Sequence, residues 1–166
     1  MYIKRKLEGV ILTYLNKPEI LAIVGPRQSG KTTLLKKIQA DVTDAIFISF
    51  EDIEDLNLFE QDINGFAKKY LGHKYIFIDE FQYAKQGGKK LKYLYDTFPH
   101  HKIIISGSSA IDLTIKAIKF LTGRVFVFQL YELDFEEYLS WRDPALFAVY
   151  HKNASRFNLQ NLKNGA

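Results

Sequence analysis

The apolar residues of this chain follow two rhythms. Unbroken runs, Glu19-Ile20-Leu21-Ala22-Ile23-Val24, Ala45-Ile46-Phe47-Ile48-Ser49-Phe50, Tyr75-Ile76-Phe77-Ile78, Lys102-Ile103-Ile104-Ile105-Ser106 and Val125-Phe126-Val127-Phe128-Gln129-Leu130, read as strands covered on both faces. Elsewhere apolar residues return every third or fourth position, the signature of helices with one buried stripe. Ile3, Leu7, Val10, Ile11, Tyr14 and Leu15 predict a helix over the first 16 or so residues, closed by Asn16-Lys17-Pro18. Thr33 to Ile38 predicts a second helix, opening at Thr32. Phe59, Ile63, Phe66 and Tyr70 predict one helix ending near Leu71-Gly72, and Leu91, Leu94, Tyr95 and Phe98 a short one. Ile111, Leu113 and Ile115 mark a further helix. Asp134 with Glu137 three residues on forms a capping box, and Leu133 with Tyr138 a hydrophobic staple, for a helix from Phe135 to Trp141. Phe81 to Ala84 is expected to be a loop and Gln86-Gly87-Gly88-Lys89-Lys90 a mobile exposed stretch; after the stop at Asp143-Pro144, Ala145 to Ala166 carries a few apolar residues and ends in a polar Asn-Leu-Lys-Asn-Gly-Ala tail.

Composition narrows the class. A chain of 166 residues that is 47% hydrophobic suits a single α/β domain with a substantial core. The net charge of +4, from 23 basic and 19 acidic residues, permits nucleic-acid contact without indicating it. With no cysteine, disulfides, thiolate metal sites and cysteine nucleophiles are excluded. The basic start Met1-Tyr2-Ile3-Lys4-Arg5-Lys6-Leu7 lacks an apolar signal core, and no apolar run approaches the ~18 residues of a membrane span, so a soluble, cytoplasmic protein is expected. Of the histidines His73, His100, His101 and His151, the first three are expected in loops and show no ligand spacing. Asn153-Ala154-Ser155 fits a glycosylation pattern, but no secretory signal accompanies it.

One stretch carries strong chemistry. Gly25-Pro26-Arg27-Gln28-Ser29-Gly30-Lys31-Thr32, followed by Thr33, matches G-x-x-x-x-G-K-[ST] at every constrained position. Glycines at both ends let the backbone curl so that successive N–H groups face a polyphosphate. Lys31 adds a mobile cation for the β- and γ-phosphates, and the Thr32 hydroxyl suits the Mg²⁺ that bridges them. The helix that follows presents its positive end to the same anion. A strand entering and a helix leaving the loop are the context this motif requires, and a nucleoside triphosphate is the ligand it calls for.

Three further places offer partners to a bound polyphosphate. Asp79 and Glu80 end a strand at the edge where parallel sheets bind ligands. Asp79 is the candidate for Mg²⁺, directly or through water, and Glu80 for polarising the attacking water. Ser106, with Ser108 and Ser109 beyond Gly107, could contact the γ-phosphate or serve as turn and cap residues. Arg124, after Leu121-Thr122-Gly123, is the candidate cation for a γ-phosphate in its own or a neighbouring subunit; a surface arginine at a strand start is the competing reading. The acidic run Glu51, Asp52, Glu54 and Asp55 could assist Mg²⁺, but suits a helix N-terminus better.

Taken together, Gly25 to Thr33, Ile78-Asp79-Glu80-Phe81-Gln82, Ile105-Ser106-Gly107-Ser108-Ser109, Leu121-Thr122-Gly123-Arg124 and Leu133-Asp134-Phe135-Glu136-Glu137-Tyr138 resemble, in order and spacing, the archaeal and bacterial AAA-type ATPases. The similar group is the one whose ATPase domain precedes a separate C-terminal domain, and the resemblance covers about residues 2 to 141. It implies a three-layer α/β/α sandwich with a five-stranded parallel sheet of order 5-1-4-3-2, binding ATP and Mg²⁺ and hydrolysing ATP. It assigns phosphate binding to Lys31 and Thr32, metal to Asp79, the base to Glu80, a sensor to Ser106 and the arginine role to Arg124. On this reading residues 1–142 are the ATPase domain, with an N-terminal helix over 1–17, a nucleotide-binding core over 19–130 and a capping helix over 134–141. Residues 143–166 are a tail, or the start of a further domain. A protein partner or homo-oligomer would then direct the activity; the alternatives are a nucleotide-dependent switch with little turnover and a nucleic-acid-associated ATPase.

Overall fold

The computed structural model describes residues 2–108 and 120–163. Ser109 and the helix expected around Ile111, Leu113 and Ile115 therefore lie outside the described residues. Two compact units emerge, one over Leu7–Glu132 and the other joining the chain up to Lys6 with the chain from Leu133 onward.

The larger unit is built on β1 (Ile20–Val24), β2 (Ala45–Ser49), β3 (Tyr75–Asp79), β4 (Lys102–Gly107) and β5 (Val125–Gln129). All pairings are parallel, and the order is β2-β3-β4-β1-β5, which is the expected 5-1-4-3-2 read from the other edge. Every residue of β1, β3 and β4 is buried, as unbroken apolar runs in the middle of a parallel sheet require, whereas the edge strands β2 and β5 are only partly covered. Helices α1 (Lys6–Tyr14), α2 (Lys31–Asp41), α3 (Ile53–Gln61), α4 (Ile63–Tyr70) and α5 (Gly87–Thr97) complete a three-layer α/β/α sandwich.

Strand alternation divides the core. Ile20, Ala22, Val24, Ile48, Ile76, Ile78, Ile103 and Ile105 form one cluster with Phe59 of α3, Phe66 and Tyr70 of α4, and Leu91 and Leu94 of α5. Leu21, Ile23, Phe77 and Ile104, the alternate positions, are buried too, as are Leu34, Leu35 and Ile38 of α2. Within the first cluster Phe50, Phe59, Phe66 and Phe81 interlock, with the Phe50–Phe59 and Phe59–Phe66 ring centroids 5.0 and 5.1 Å apart. At the far edge of the sheet Tyr14 of α1 packs edge-on against Phe126 and Phe128 of β5.

Several expected elements take a different form. The single helix through Phe59 and Tyr70 is two, because Asp62 leaves helical geometry (φ −137°, ψ 83°) and its carboxylate caps α4 by accepting from Gly65 N–H. Phe81–Tyr83 is a 3₁₀ turn rather than an open loop, anchored by buried Phe81. Gly87 and Gly88, expected to be mobile and exposed, are buried and open α5, Gly87 lying against the Phe81 ring. The acidic run is divided: Asp52 caps α3 through Glu54 N–H, and Asp55 pairs with Lys69 while accepting from the Tyr70 hydroxyl.

In the smaller unit α6 (Phe135–Arg142) carries the expected capping box, with Asp134 accepting from Glu137 N–H and Glu137 from Asp134 N–H. Glu137 does more than close that box. Its buried carboxylate also takes Arg5 Nε at 3.0 Å and Lys6 N–H at 2.7 Å, both within the same unit. Both members of the expected staple, Leu133 and Tyr138, are exposed, and the Tyr138 ring contacts Trp141. The chain is helical again directly after Asp143. Pro144 is the first residue of α7 (Pro144–Lys163), and Asp143 caps it through Leu146 N–H, because a helix tolerates proline at its first position. No helix among the described residues is long and apolar enough to cross a membrane.

Candidate functional site

The loop between β1 and α2 sits where the strand order reverses, since β1 is flanked by β4 on one side and β5 on the other. Crevices at such a point, beyond the carboxyl ends of the strands, are the ligand sites of open parallel sheets. The loop turns on two left-handed residues, Gln28 (φ 65°) and Gly30 (φ 91°), and Gly30 then caps α2, which opens at Lys31 rather than Thr32. At the other end Gly25 is pressed against the chain leaving β5. A Cβ there would stand 2.0 Å from the Leu130 carbonyl oxygen, whose own N–H donates to Val24 O at 2.7 Å. Gly25 and Ser29 are buried, while Pro26, Arg27, Gln28 and Thr33 are exposed.

Lys31 is only 5% exposed and folds back on its own loop, its Nζ donating to Gly25 O at 3.0 Å and Pro26 O at 2.7 Å. Burial pushes its ammonium below the ordinary lysine range, and the Glu80 and Asp79 carboxylates pull it back up.

Asp79 ends β3 fully buried and joins two strands and a helix. Thr32 Oγ1 donates to its Oδ2 at 2.6 Å, and the buried Ser106 hydroxyl of β4 donates to its Oδ1. Thr32, Asp79 and Ser106, which the sequence singles out separately, are therefore one cluster. Glu80 follows with a left-handed backbone (φ 54°, ψ 39°), a conformation uncommon for a residue with a side chain. It reverses the chain into the 3₁₀ turn, and the Glu80 carboxylate accepts from Gln82 Nε2.

These groups border a cleft of about 470 Å³ lined by Arg27, Gln28, Gly30, Lys31, Thr32, Thr33, Glu51, Glu80, Tyr83 and Ser108. Of the acidic run after β2 only Glu51 reaches the cleft. Sequence alone gives Gln82 and Tyr83 no separate role, because only the tight turn at Phe81 returns Gln82 to Glu80 and Tyr83 to the cleft.

Arg124 is not brought to this cleft. Its backbone O accepts from Ile20 N–H, at the end of β1 remote from the loop. Its guanidinium pairs with Asp96 at 2.8 Å and lies 5.9 Å from the centre of the Tyr95 ring. Two of the histidines are tied into turns: His73 Nδ1 meets Asp44 Oδ1 at 3.0 Å, and His101 Nδ1 meets His73 O at 2.9 Å.

Comparison with known proteins agrees with this architecture. The AAA domain family model matches residues 17–139. Among solved structures, PCH-2 of C. elegans is 12% identical with a TM-score of 0.58, over 82% of this chain and 45% of that one. The Walker-type ATPase of Pyrococcus abyssi is 20% identical with a TM-score of 0.55, over 82% and 55%. The Pif1 helicase from Bacteroides in complex with ADP-AlF3 and ssDNA is 16% identical with a TM-score of 0.53, over 81% and 43%. The chain spans about half the length of the solved chains it resembles. Comparison with the curated proteins finds no match. A family model covering most of the chain, a phosphate-loop motif standing between β1 and α2, and a five-stranded parallel sheet place this chain in the AAA domain family, as a nucleotide-binding domain of the P-loop ATPase type.

Proposed function

We propose that this chain binds Mg²⁺-ATP in the cleft above β1 and hydrolyses it. The observation that carries the proposal is the meeting of Thr32, Asp79 and Ser106 beside Lys31. Mg²⁺ needs few protein ligands, prefers hard oxygens and otherwise keeps waters and phosphate oxygens, so a hydroxyl and a carboxylate in contact are a fitting donor set. Bound there with the nucleotide, Mg²⁺ supplies charge neutralisation at the β- and γ-phosphates.

The residues divide the remaining work. Lys31 exchanges the carbonyls of Gly25 and Pro26 for phosphate oxygens, and Gly25 to Thr33 wraps the polyphosphate. Ser106 holds one oxygen of Asp79, leaving the other to Thr32 and the metal. Glu80, bordering the cleft, accepts the proton of the attacking water. Arg124, paired at the remote edge, serves phosphoryl transfer only in a neighbouring copy. The ADP-AlF3 held by the Bacteroides helicase of the same fold supports a nucleotide here; its DNA gives no reason to assign this chain a nucleic acid.

Binding and turnover of ATP by the purified chain test this, beside Lys31→Ala and Glu80→Gln. Wild type is expected to turn over, Lys31→Ala to lose binding, and Glu80→Gln to bind without turnover. Turnover unaltered in Glu80→Gln removes the base assignment, and nucleotide binding unaltered in Lys31→Ala removes the site.

A further inference from the structure

Gln82 lies in the turn after the acidic pair, and its side-chain amide is used at both ends. Nε2 donates to Glu80 Oε2, and Oε1 accepts from Ser108 N–H at 3.2 Å. The orientation of the amide follows from its partners, because an ionised carboxylate only accepts and a backbone N–H only donates. One side chain therefore ties the carboxylate at the end of β3 to the backbone just beyond β4, and both Glu80 and Ser108 line the cleft.

The turn that carries Gln82 is held firmly. Phe81 is 2% exposed and packs with Phe50 and Phe59. Tyr83 N–H donates to Glu80 O at 3.1 Å, and Ala84 N–H to Phe81 O at 3.1 Å. Glu80, by contrast, is a half-buried side chain on a left-handed backbone, and none of its bonds other than that from Gln82 orients its carboxylate among the described residues. A flexible acid beside an open cleft has several rotamers to choose from, and the bond from a rigid turn selects one.

We propose that Gln82 is a positioning residue for the hydrolytic reaction: it aims the Glu80 carboxylate into the cleft and couples that aim to the segment beyond β4 through Ser108. This rests on the reading of Glu80 as the base. A ligand that shifts Ser108 at the cleft moves the acceptor end of the amide, and the donor end carries the shift to Glu80. Gln82 is not among the residues that line the cleft, and it acts through Glu80.

Two substitutions remove the bond to Glu80, one with and one without an acceptor left for Ser108. Gln82→Glu, when ionised, keeps an acceptor for Ser108 N–H but has nothing to donate to Glu80. Gln82→Met keeps the length and loses both bonds. Steady-state Mg²⁺-ATP turnover, affinity for a fluorescent ATP analogue and thermal melting are measured for both, beside wild type, Lys31→Ala and Glu80→Gln. The expected result is a kcat lower by about 10- to 100-fold in each Gln82 variant, with KM and analogue affinity within about twofold of wild type and melting little changed. A merely structural role would lower melting and affinity together. If Glu80→Gln abolishes turnover while both Gln82 variants keep wild-type kcat, the positioning role is overturned and the base assignment stands. If wild type binds the analogue but turns nothing over, or Glu80→Gln turns over normally, the base assignment fails and the positioning role with it.

Discussion

Thr32 donates its hydroxyl to Asp79 across 2.6 Å of space and 47 positions of sequence. The bond joins the first turn of α2 to the end of β3, beside Lys31. Replacing Thr32 by Val keeps the β-branched shape and removes only the oxygen. Affinity for ATP is expected to fall about tenfold in Mg²⁺ and to be unchanged in EDTA, as loss of one oxygen partner of a charged group predicts. Equal affinities for wild type and variant in Mg²⁺ would place the metal elsewhere.

Gly25 leaves no room for a side chain, with the Leu130 carbonyl oxygen 2.0 Å from where a Cβ would stand. Backbone cannot yield as a side-chain tip can. Gly25→Ala is therefore expected to cost about 2 kcal/mol or more, read as a lower urea midpoint, and to weaken nucleotide binding by displacing the loop. A variant as stable as wild type would show that the chain after β5 moves freely away.

Lys102 lies buried at the start of β4, its ammonium donating to Lys17 O at 2.7 Å and to Glu19 O. Burial pushes its pKa from the ordinary 10.5 down to about 8, with the Glu19 carboxylate opposing. Between those values the unfolded chain holds a proton that the folded chain has released. Stability from this group thus rises as pH climbs from about 8 to 10.5 and is lost again as pH falls back through 8, by at most about 3 kcal/mol. Urea unfolding of wild type and Lys102→Met across that window measures it, the expectation being a gap between them that changes with pH. A constant gap would count against the shift.

Glu137 gathers Arg5 Nε, Lys6 N–H and Asp134 N–H on one carboxylate, and Arg5 and Glu137 are 8% and 6% exposed. Glu137→Ala removes the carboxylate that pairs with the buried Arg5 guanidinium, so a loss of roughly 3 kcal/mol is expected in denaturant unfolding. Arg5→Ala with Glu137→Ala together should lose less than the sum of the two single changes, and strict additivity would deny the coupling.

Arg124 and Asp96 form a partly exposed pair, of a kind worth about 1 kcal/mol or less. Arg124→Ala is expected to leave ATP turnover unchanged in dilute solution. A fall in turnover at every protein concentration would mean that Arg124 reaches its own site, and a fall only at high concentration that it serves a neighbour.

Much of this was legible because local physics and the final fold agree. Unbroken apolar runs become buried strands whatever lies beside them, and the spacing of Gly25, Gly30, Lys31 and Thr32 dictates a loop before a helix. The capping box at Asp134 and Glu137 is a contact within one helical turn, so sequence alone carries it. Where a bland pattern hid a break, as at Asp62, or a mobile-looking stretch was buried, as at Gly87, the deciding contact was a capping carboxylate or a distant ring.

Sequence by itself thus determined the strands, the phosphate loop and the chemical identity of Lys31, Thr32, Asp79 and Glu80, since these depend on residue type and short spacing. Only the tertiary structure decided which of the separated candidates meet. Strand order brings Ser106 to Asp79 and Asp79 to Thr32, and sends Arg124 to the opposite edge with Asp96. The packing of Phe81 returns Gln82 to Glu80. Neighbours across a sheet are set by the burial of whole faces, a property of the assembled layers that no short window of sequence contains.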